Sequence, residues 1–185
     1  LSKANASNVP KDTVKRAIDK ASGQNNENFE EITYEGYGPK GIAVIIECLT
    51  DNKNRTVSDL RHLLSKHGGS LGTNGSVSHL FRKVGIMKLD NITEDDLVEH
   101  MESIDIEDFE MIDSGCIIFT KPTELFSTKK YFESKSINVI EEEIIMDPLT
   151  SIDVSKEDSE KISDLSNKIE ELDDVQNVYM NSNLA

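Results

Sequence analysis

The chain has 185 residues, 36% hydrophobic and 5% aromatic content without tryptophan, and a formal net charge of −15. This length accommodates one large domain or two small ones, with a core that must be mainly aliphatic. No apolar run approaches the ~20 residues of a membrane-spanning helix, and no signal peptide is visible. The two cysteines, Cys48 and Cys116, lie in apolar strand-like runs, which favours buried thiols over a disulfide.

The acidic charge is concentrated in the second half of the chain. Residues 1–91 hold 13 basic and 10 acidic side chains, a balance of +3, whereas residues 92–185 hold 7 and 25, a balance of −18. An acidic half repels polyanions, so bulk charge disfavours nucleic acid as its partner. The first half raises no such objection, and the asymmetry itself hints at a polar contact surface.

The first half alternates helix-like and strand-like segments. Two helices are predicted, at 8–22 and 56–67, and four strands, at 31–37, 42–49, 77–84 and 86–89. The run 42–49 is almost wholly apolar, which is typical of a central strand buried on both faces. Thr56 and Asp59 have the spacing of a capping box, and Gly68 and Gly69 supply the helix stop.

The second half continues the alternation. Three helices are predicted, at 93–104, 122–136 and 156–172, and four strands, at 109–112, 116–121, 137–146 and 175–180. Capping boxes begin at Thr93 and Ser155, and Pro122 suits the first turn of a helix. Ser114 and Gly115 lie between two strands and are a hairpin signal.

The order of these elements predicts an α+β fold. The series that begins with the strand at residue 42, completed by the last helix and the last strand, has the βαββαβ order of a ferredoxin-like domain. We therefore predict a discontinuous ferredoxin-like domain over residues 29–91 and 148–185. A smaller acidic domain of order αββαβ, residues 92–147, is inserted into it.

Catalytic and metal-binding patterns are weak. His62, His67, His79 and Cys48 lie in one region, but their spacing matches no metal motif, and ordinary surface histidines are the simpler interpretation. The segment Gly68–Gly75 lacks the Lys-Ser/Thr pair of a P-loop, and a helix stop is favoured over an anion-binding nest of backbone amides. No nucleophile, base and orienting group stand in a known pattern. The sequence therefore predicts no enzyme, no metal and no cofactor.

Basic side chains are the remaining candidate for a binding surface. Six lie on or beside the capped helix and the strand that follows it, and two lie on the first helix: Lys53, Arg55, Arg61, Lys66, Arg82, Lys83, Lys11 and Lys15. Arginine binds phosphate bidentately, and a helix N-terminus adds amide donors and a favourable dipole. On the charge pattern alone, scattered surface charge is favoured over a nucleic-acid-binding surface.

Four segments carry a resemblance to a known family: NVPKDTVKRAI, YEGYGPKGIAVIIECLTDNKNRT, RHLLSKHGGSLGTNGSVSHLF and ELDDVQNVYMN. In the same order along the chain, they resemble the YebC/PmpR family of bacterial regulators, which includes the mitochondrial translational activator of cytochrome c oxidase subunit I. The resemblance implies a basic, helical N-terminal domain, whose C-terminal end would be residues 1–28. Two α/β domains follow, the second inserted in the first.

The resemblance also implies a function. Members are described as DNA-binding transcriptional regulators and as ribosome- or mRNA-associated translation factors, without an established enzymatic activity or cofactor. We expect a non-enzymatic translational activator that binds the ribosome, ribosomal RNA or mRNA, with a DNA-binding transcriptional regulator as the alternative. We also expect a monomer without a small-molecule substrate and with upstream residues missing. The expected location is the mitochondrial matrix, with the bacterial cytoplasm as the alternative.

Nine residues match the family pattern and imply a shared cleft surface: Asp51, Asn52, Asn54, Arg55, Thr56, Gly69, Gly72, Gly75 and Ser76. On this basis Arg55→Glu is expected to impair RNA or ribosome association while folding stays largely intact. The acidic inserted domain counts against direct DNA binding.

Overall fold

The computed structural model describes residues 28–183 of the chain. These residues form two compact units. The first unit holds the described residues up to Phe81 and those from Pro148 onward, and the second unit holds Arg82–Asp147. The predicted helix at 8–22, with Lys11 and Lys15, lies outside the described residues.

Helices and mainly antiparallel strands build both units. The strands are β1 (Glu30–Tyr37), β2 (Ala43–Thr50), β3 (Ser70–Leu71), β4 (Phe81–Asp90), β5 (Asp108–Ile112), β6 (Gly115–Thr120), β7 (Val139–Pro148), β8 (Ile152–Asp153), β9 (Val175–Met180) and β10 (Ser182–Asn183). The α-helices are α1 (Lys53–Lys66), α2 (Glu94–Met101), α3 (Leu125–Ser134) and α4 (Lys156–Glu170). The α+β class is therefore confirmed.

The first unit is built on a sheet with the order β3-β1-β2-β9. β1 pairs antiparallel with β2, from Glu30 opposite Thr50 to Tyr37 opposite Ala43, and β9 pairs antiparallel with the other side of β2. β2 is thus the central strand that its apolar run predicts. The short strands β8 and β10 form a separate parallel pair.

Helices α1 and α4 pack on one face of this sheet. Their apolar stripes meet alternate side chains of β2 and the first residue of β9 in one buried cluster: Val44, Ile46, Cys48, Leu60, Leu64, Leu165, Ile169 and Val175. This pattern follows from the two-residue period of a strand and the 3.6-residue period of a helix. Cys48 is buried here and Cys116 is buried in the second unit, and neither forms a disulfide.

Helix α1 begins at Lys53, not after Thr56 as the capping-box spacing predicts. Its N-cap is Asn52, whose Oδ1 accepts a hydrogen bond from the amide of Arg55 at 3.1 Å. Thr56 instead lies inside the helix and is buried. The prediction was wrong because the preceding loop supplies a cap of its own, and Asn is at least as good an N-cap as Thr.

The second unit has the βαββαβ order that the sequence assigned to the first. Its elements run β4-α2-β5-β6-α3-β7, and its sheet has the order β5-β6-β4-β7. β4 pairs antiparallel with β6, from Gly85 opposite Thr120 to Asp90 opposite Gly115. The expectation that β4 completes the sheet of residues 29–91 and 148–185 is therefore wrong. The division between the units falls after Phe81 instead of after residue 91.

Helices α2 and α3 cover the core of the second unit, which consists of Met87, Leu89, Ile92, Leu97, Ile106, Cys116, Ile118, Leu125 and Phe132. Gly85 does not break β4 into two strands, contrary to the prediction. A Cβ atom at Gly85 would lie 2.8 Å from Thr120 Oγ1 and 3.0 Å from Leu125 Cβ. The glycine is therefore needed for the close approach of β6 and α3, and no turn is made there.

The starts of α2 and α4 follow the sequence signals. Thr93 caps α2 in a reciprocal capping box with Asp96, and Ser155 Oγ caps α4 by accepting from the amide of Asp158 at 3.2 Å. Among the helices of the described residues, none is long and apolar enough to cross a membrane.

Candidate nucleic-acid interface

Two basic side chains of α1 take no part in the core of the first unit. Leu60 and Leu64 form the buried stripe of the helix together with Thr56. Arg61 and Lys66 lie outside this stripe and are exposed. Because a helix has 3.6 residues per turn, Arg61 and Lys66 lie at the two edges of its solvent-facing arc. Neither forms an ion pair with another residue in the part of the chain that the structure describes. We call Arg61 and Lys66 the outer basic pair.

The two basic side chains at the start of α1 are bound within the first unit. Lys53 Nζ lies 2.5 Å from Glu30 Oε2 of β1. Arg55 Nη2 donates to both oxygens of Asp174, at 2.9 and 3.0 Å, and to Asp51 Oδ1 at 2.9 Å. These hydrogen bonds to Asp174 and Asp51 hold the pKa of Arg55 above its ordinary value. Carboxylates of the same unit thus balance both positive charges.

Asp174 is the centre of this contact. Its side chain is only 8% exposed, and its Oδ2 lies 2.9 Å from Thr56 Oγ1. Thr56 Oγ1 in turn lies 2.8 Å from Thr50 Oγ1, which accepts from the amide of Asn52 at 2.9 Å. A buried carboxylate is stable only when it is paired and hydrogen-bonded. The TDNKNRT segment is therefore tied to the residue that precedes β9, more than 100 positions further along the chain.

This geometry changes the interpretation of Arg55. Arg55→Glu would place a carboxylate against the buried Asp174, so the expectation that folding stays largely intact no longer holds. Asn54 differs from its neighbours in the motif, because its side chain makes no hydrogen bond to another described residue. Most of the TDNKNRT motif therefore stabilises the first unit.

The glycine-rich connector, residues 69–76, is anchored by a carboxylate of β1. Glu35 is 4% exposed, and three backbone amides donate to its oxygens at 2.8 Å each: those of Gly75, Val77 and Ser78. The amide of Gly72 donates to the main-chain oxygen of Glu35 at 2.8 Å. These amides form the kind of nest that binds anions, and the anion in it is the chain's own Glu35.

The nest keeps Glu35 ionised. Burial by itself raises the pKa of Glu35, but the hydrogen bonds from Val77, Gly75 and Ser78 outweigh burial and hold the pKa below its ordinary value. Sequence reasoning missed this residue because a glutamate within a strand pattern is ordinarily solvated. The glycine-rich segment was the one available signal, and its pattern favoured a helix stop over an anion-binding nest.

The remaining residues of the predicted cleft also belong to this close packing. A Cβ atom at Gly69 would lie 2.1 Å from the carbonyl oxygen of Tyr37, so no other residue fits there without a backbone shift. Gly75 has φ +85°, which lies in the region that favours glycine. The carbonyl oxygen of Ser76 accepts a hydrogen bond from the Tyr37 hydroxyl at 3.2 Å. The connector is thus held against β1 at several points.

The last two predicted basic residues lie on β4 of the second unit. Arg82 Nε donates to Asp147 Oδ2 at 2.9 Å, and its Nη1 lies 4.0 Å from Glu107 Oε2. Lys83 is exposed and has no ion-pair partner within residues 28–183. In the second unit, as in the first, the arginine nearest to buried acidic groups serves the fold.

The histidines and the cysteine that lie in one region of the sequence do not form a metal site. Among the residues that the structure describes, no group of three or more His, Cys, Asp and Glu side chains could hold a metal ion. His67 lies at the end of α1, where its Nδ1 is 2.9 Å from the carbonyl oxygen of Leu63 and its Nε2 is 3.4 Å from Asp164 of α4. It therefore connects the two helices of the first unit.

The described residues form two α+β units, the second inserted in the chain of the first. The sequence profile described as the TACO1/YebC second and third domain matches residues 29–182. The chain belongs to the TACO1/YebC family, which confirms the resemblance found in the sequence.

Relatives and a solved structure agree with this assignment. The chain is 44% identical over 185 residues to a protein of Thermoanaerobacter pseudethanolicus named "Probable transcriptional regulatory protein", with 98% of the chain and 75% of the relative covered. It is 40% identical over 188 residues to a protein of the same name from Idiomarina loihiensis, with 100% and 76% covered. A crystal structure of a conserved hypothetical protein from Aquifex aeolicus matches with a TM-score of 0.77 and 37% identity, covering 95% of the chain and 74% of that structure.

Proposed function

We propose that this protein is a non-enzymatic regulator of gene expression that contacts nucleic acid through the exposed face of α1. The names of the bacterial relatives support a regulator of transcription, so DNA is the first candidate partner. The bacterial cytoplasm is the corresponding location, because the relatives named above are bacterial and none is mitochondrial.

The observation that carries this proposal is the unbalanced charge of the outer basic pair. Arg61 and Lys66 are exposed and have no carboxylate partner among residues 28–183. The arginine that serves the fold of this unit is paired, since Arg55 contacts Asp174. Exposed, unpaired cations on a rigid helix can neutralise phosphates and release their counterions, which is the main source of affinity for nucleic acid.

A binding assay with fluorescent duplex DNA at several salt concentrations tests this proposal. The full-length protein should bind, and Arg61→Ala should reduce the slope of log affinity against log salt by about 0.9, the loss of one phosphate contact. Lys161→Ala is the matched control, because Lys161 is an exposed lysine on α4 that is paired with Glu157 at 2.6 Å. Equal slopes for the wild type and Arg61→Ala would remove α1 from the interface.

Single-stranded RNA, such as an mRNA on the ribosome, is a second candidate, and the net charge of −15 favours it. Duplex DNA carries one negative charge per about 1.7 Å of its axis, more than a single strand does, so an acidic protein is repelled more strongly by the duplex. Co-sedimentation of the full-length protein with ribosomes would support translation as the regulated step. Absence from ribosomal fractions, together with salt-sensitive binding to promoter DNA, would decide for transcription.

A further inference from the structure

An aromatic ring stands open to solvent on helix α3 of the second unit. Phe126 is 65% exposed, the largest value among the exposed large hydrophobic residues of the described chain. The buried side of α3 consists of Leu125, Thr128 and Phe132. Phe126 follows Leu125 directly, so it is turned about 100° away from that side. The ring therefore contributes little to the core.

Lysines accompany the aromatic rings of α3. Lys130 Nζ lies 4.4 Å from the centroid of the Phe126 ring, one helical turn away. Just beyond the helix, Lys135 Nζ lies 5.5 Å from the ring of Tyr131. Neither lysine forms an ion pair with another residue of the described range, whereas Lys129 is paired with Glu142 at 2.7 Å. An exposed ring and two unbalanced ammonium groups thus lie on the same short segment of the chain.

We propose that Phe126 and Lys130 form a stacking site for a base of a single-stranded nucleic acid, with Lys130 next to its phosphates. Proteins that bind single strands combine aromatic rings, on which bases stack, with cations that follow the backbone. A duplex does not offer its base faces, so the site selects unpaired bases. This inference rests on the proposed function and adds where, and in which form, the nucleic acid binds.

The acidic surroundings are compatible with this site. Residues 82–147 hold 7 basic and 17 acidic side chains, and their summed field repels polyanions. At about 0.15 M salt the Debye length is ~8 Å, so carboxylates farther away than this are screened, while the adjacent ammonium group of Lys130 acts at short range. Stacking is not an electrostatic attraction to phosphate, so the salt dependence at this site should come from the phosphate contact of Lys130 and not from the ring.

The absence of tryptophan from the sequence makes a direct test available. Phe126→Trp retains an aromatic face and introduces a single tryptophan, whose fluorescence reports stacking. The probes are oligo(U) and oligo(dT) of about 12 nucleotides, within the range of single-strand site sizes, and a duplex of equal length. We expect quenching of the introduced tryptophan and near wild-type affinity with the single strands, and no quenching with the duplex.

Two further variants separate the ring from the charge. Phe126→Leu should lower single-strand affinity about tenfold, within the range measured for removal of a stacking ring, without changing the salt slope. Lys130→Gln should lower the slope by about 0.7. The comparison of oligo(U) with oligo(dT) shows whether RNA or DNA is preferred. Because Phe126 is exposed, thermal unfolding of Phe126→Leu should match that of the wild type.

The possible failures are distinguishable. Suppose that the wild type binds single strands, that Phe126→Leu binds them with unchanged affinity, and that the tryptophan of Phe126→Trp is not quenched. This result overturns the stacking site. Binding of duplex alone also overturns it, and leaves the proposed function standing. A wild-type protein that binds none of the probes overturns both.

Discussion

The two ends of helix α1 carry similar side chains and use them differently. At the first end, Lys53 and Arg55 are held by Glu30, Asp51 and Asp174. At the second end, Arg61 and Lys66 are exposed without a carboxylate partner among the described residues. The difference teaches that the charge of a residue does not define its role; whether an opposite charge lies within reach does.

Glu35 extends the comparison from cations to anions. A glutamate in a strand is ordinarily a surface group. Glu35 nevertheless accepts three amide hydrogen bonds from the connector and from the two residues that follow the connector. Glu35 and Asp174 are both buried anions, and each of them holds a loop of the first unit in place. The variants below separate these groups, which stabilise the fold, from the outer basic pair, which is left for binding.

The largest effect is expected for Asp174→Ala. Its carboxylate receives hydrogen bonds from Arg55 and contacts Thr56, and a hydrogen bond to a charged group contributes about 1.5–3 kcal/mol. We expect the free energy of unfolding to fall by about 2–3 kcal/mol, measured by urea denaturation. Asp51→Ala is the control, because Asp51 meets the same arginine at the surface, where ion pairs contribute only about 0–1 kcal/mol. Equal losses for both variants would contradict the distinction.

A somewhat smaller effect is expected for Glu35→Gln. The substitution keeps the shape of the side chain but removes its charge and turns an NH₂ group toward backbone donors. We expect a loss of about 1–3 kcal/mol in the free energy of unfolding. Faster hydrogen exchange of the amides of Gly75, Val77 and Ser78 should accompany it. Glu31→Gln, on the same strand and exposed, should change neither measurement; a similar loss there would show that the nest is not the cause.

The pH dependence of stability should identify the same carboxylate. The pKa of Glu35 in the folded state lies below its ordinary value of 4.5. A lowered pKa means that the ionised form is favoured by folding, so its contribution is complete above the ordinary value and is lost as the pH falls through the folded-state pKa. The difference in unfolding free energy between the wild type and Glu35→Gln should therefore shrink as the pH falls from about 6 toward the folded-state pKa. A difference that stays constant over this range would exclude ionisation of Glu35 as its source.

Local patterns in the sequence were sufficient for elements whose signals lie within a few residues. The apolar run of β2, the stripe of α4 and the caps at Thr93 and Ser155 are present as predicted. Sequence reasoning failed where a partner is distant. β4 was placed in the wrong unit because its pairing with β6 spans a helix and another strand, and no periodicity within β4 indicates which sheet receives it.

The same limit applies to the candidate site. The TDNKNRT motif was recognised, but its partner Asp174 lies 119 positions from Arg55. When that contact is not known, a polar motif on a loop is interpreted as a binding surface. The exposure of Phe126 could not be predicted from the sequence either, since an aromatic residue in a helical pattern lies more often in the core than at the surface.

The smallest effect on stability is expected where the effect on binding is largest. Replacement of both Arg61 and Lys66 by alanine removes exposed charges that have no ion-pair partner within residues 28–183, and such surface substitutions change stability by no more than about 0.5 kcal/mol. The salt slope for nucleic-acid binding should fall by about 1.4–1.8, from the loss of two phosphate contacts. Urea denaturation and salt-dependent binding, measured on the same preparation, check both halves of this prediction. If the double variant unfolded as easily as Asp174→Ala, the second end of α1 would serve the fold as the first end does, and the binding surface would have to be sought elsewhere on the chain.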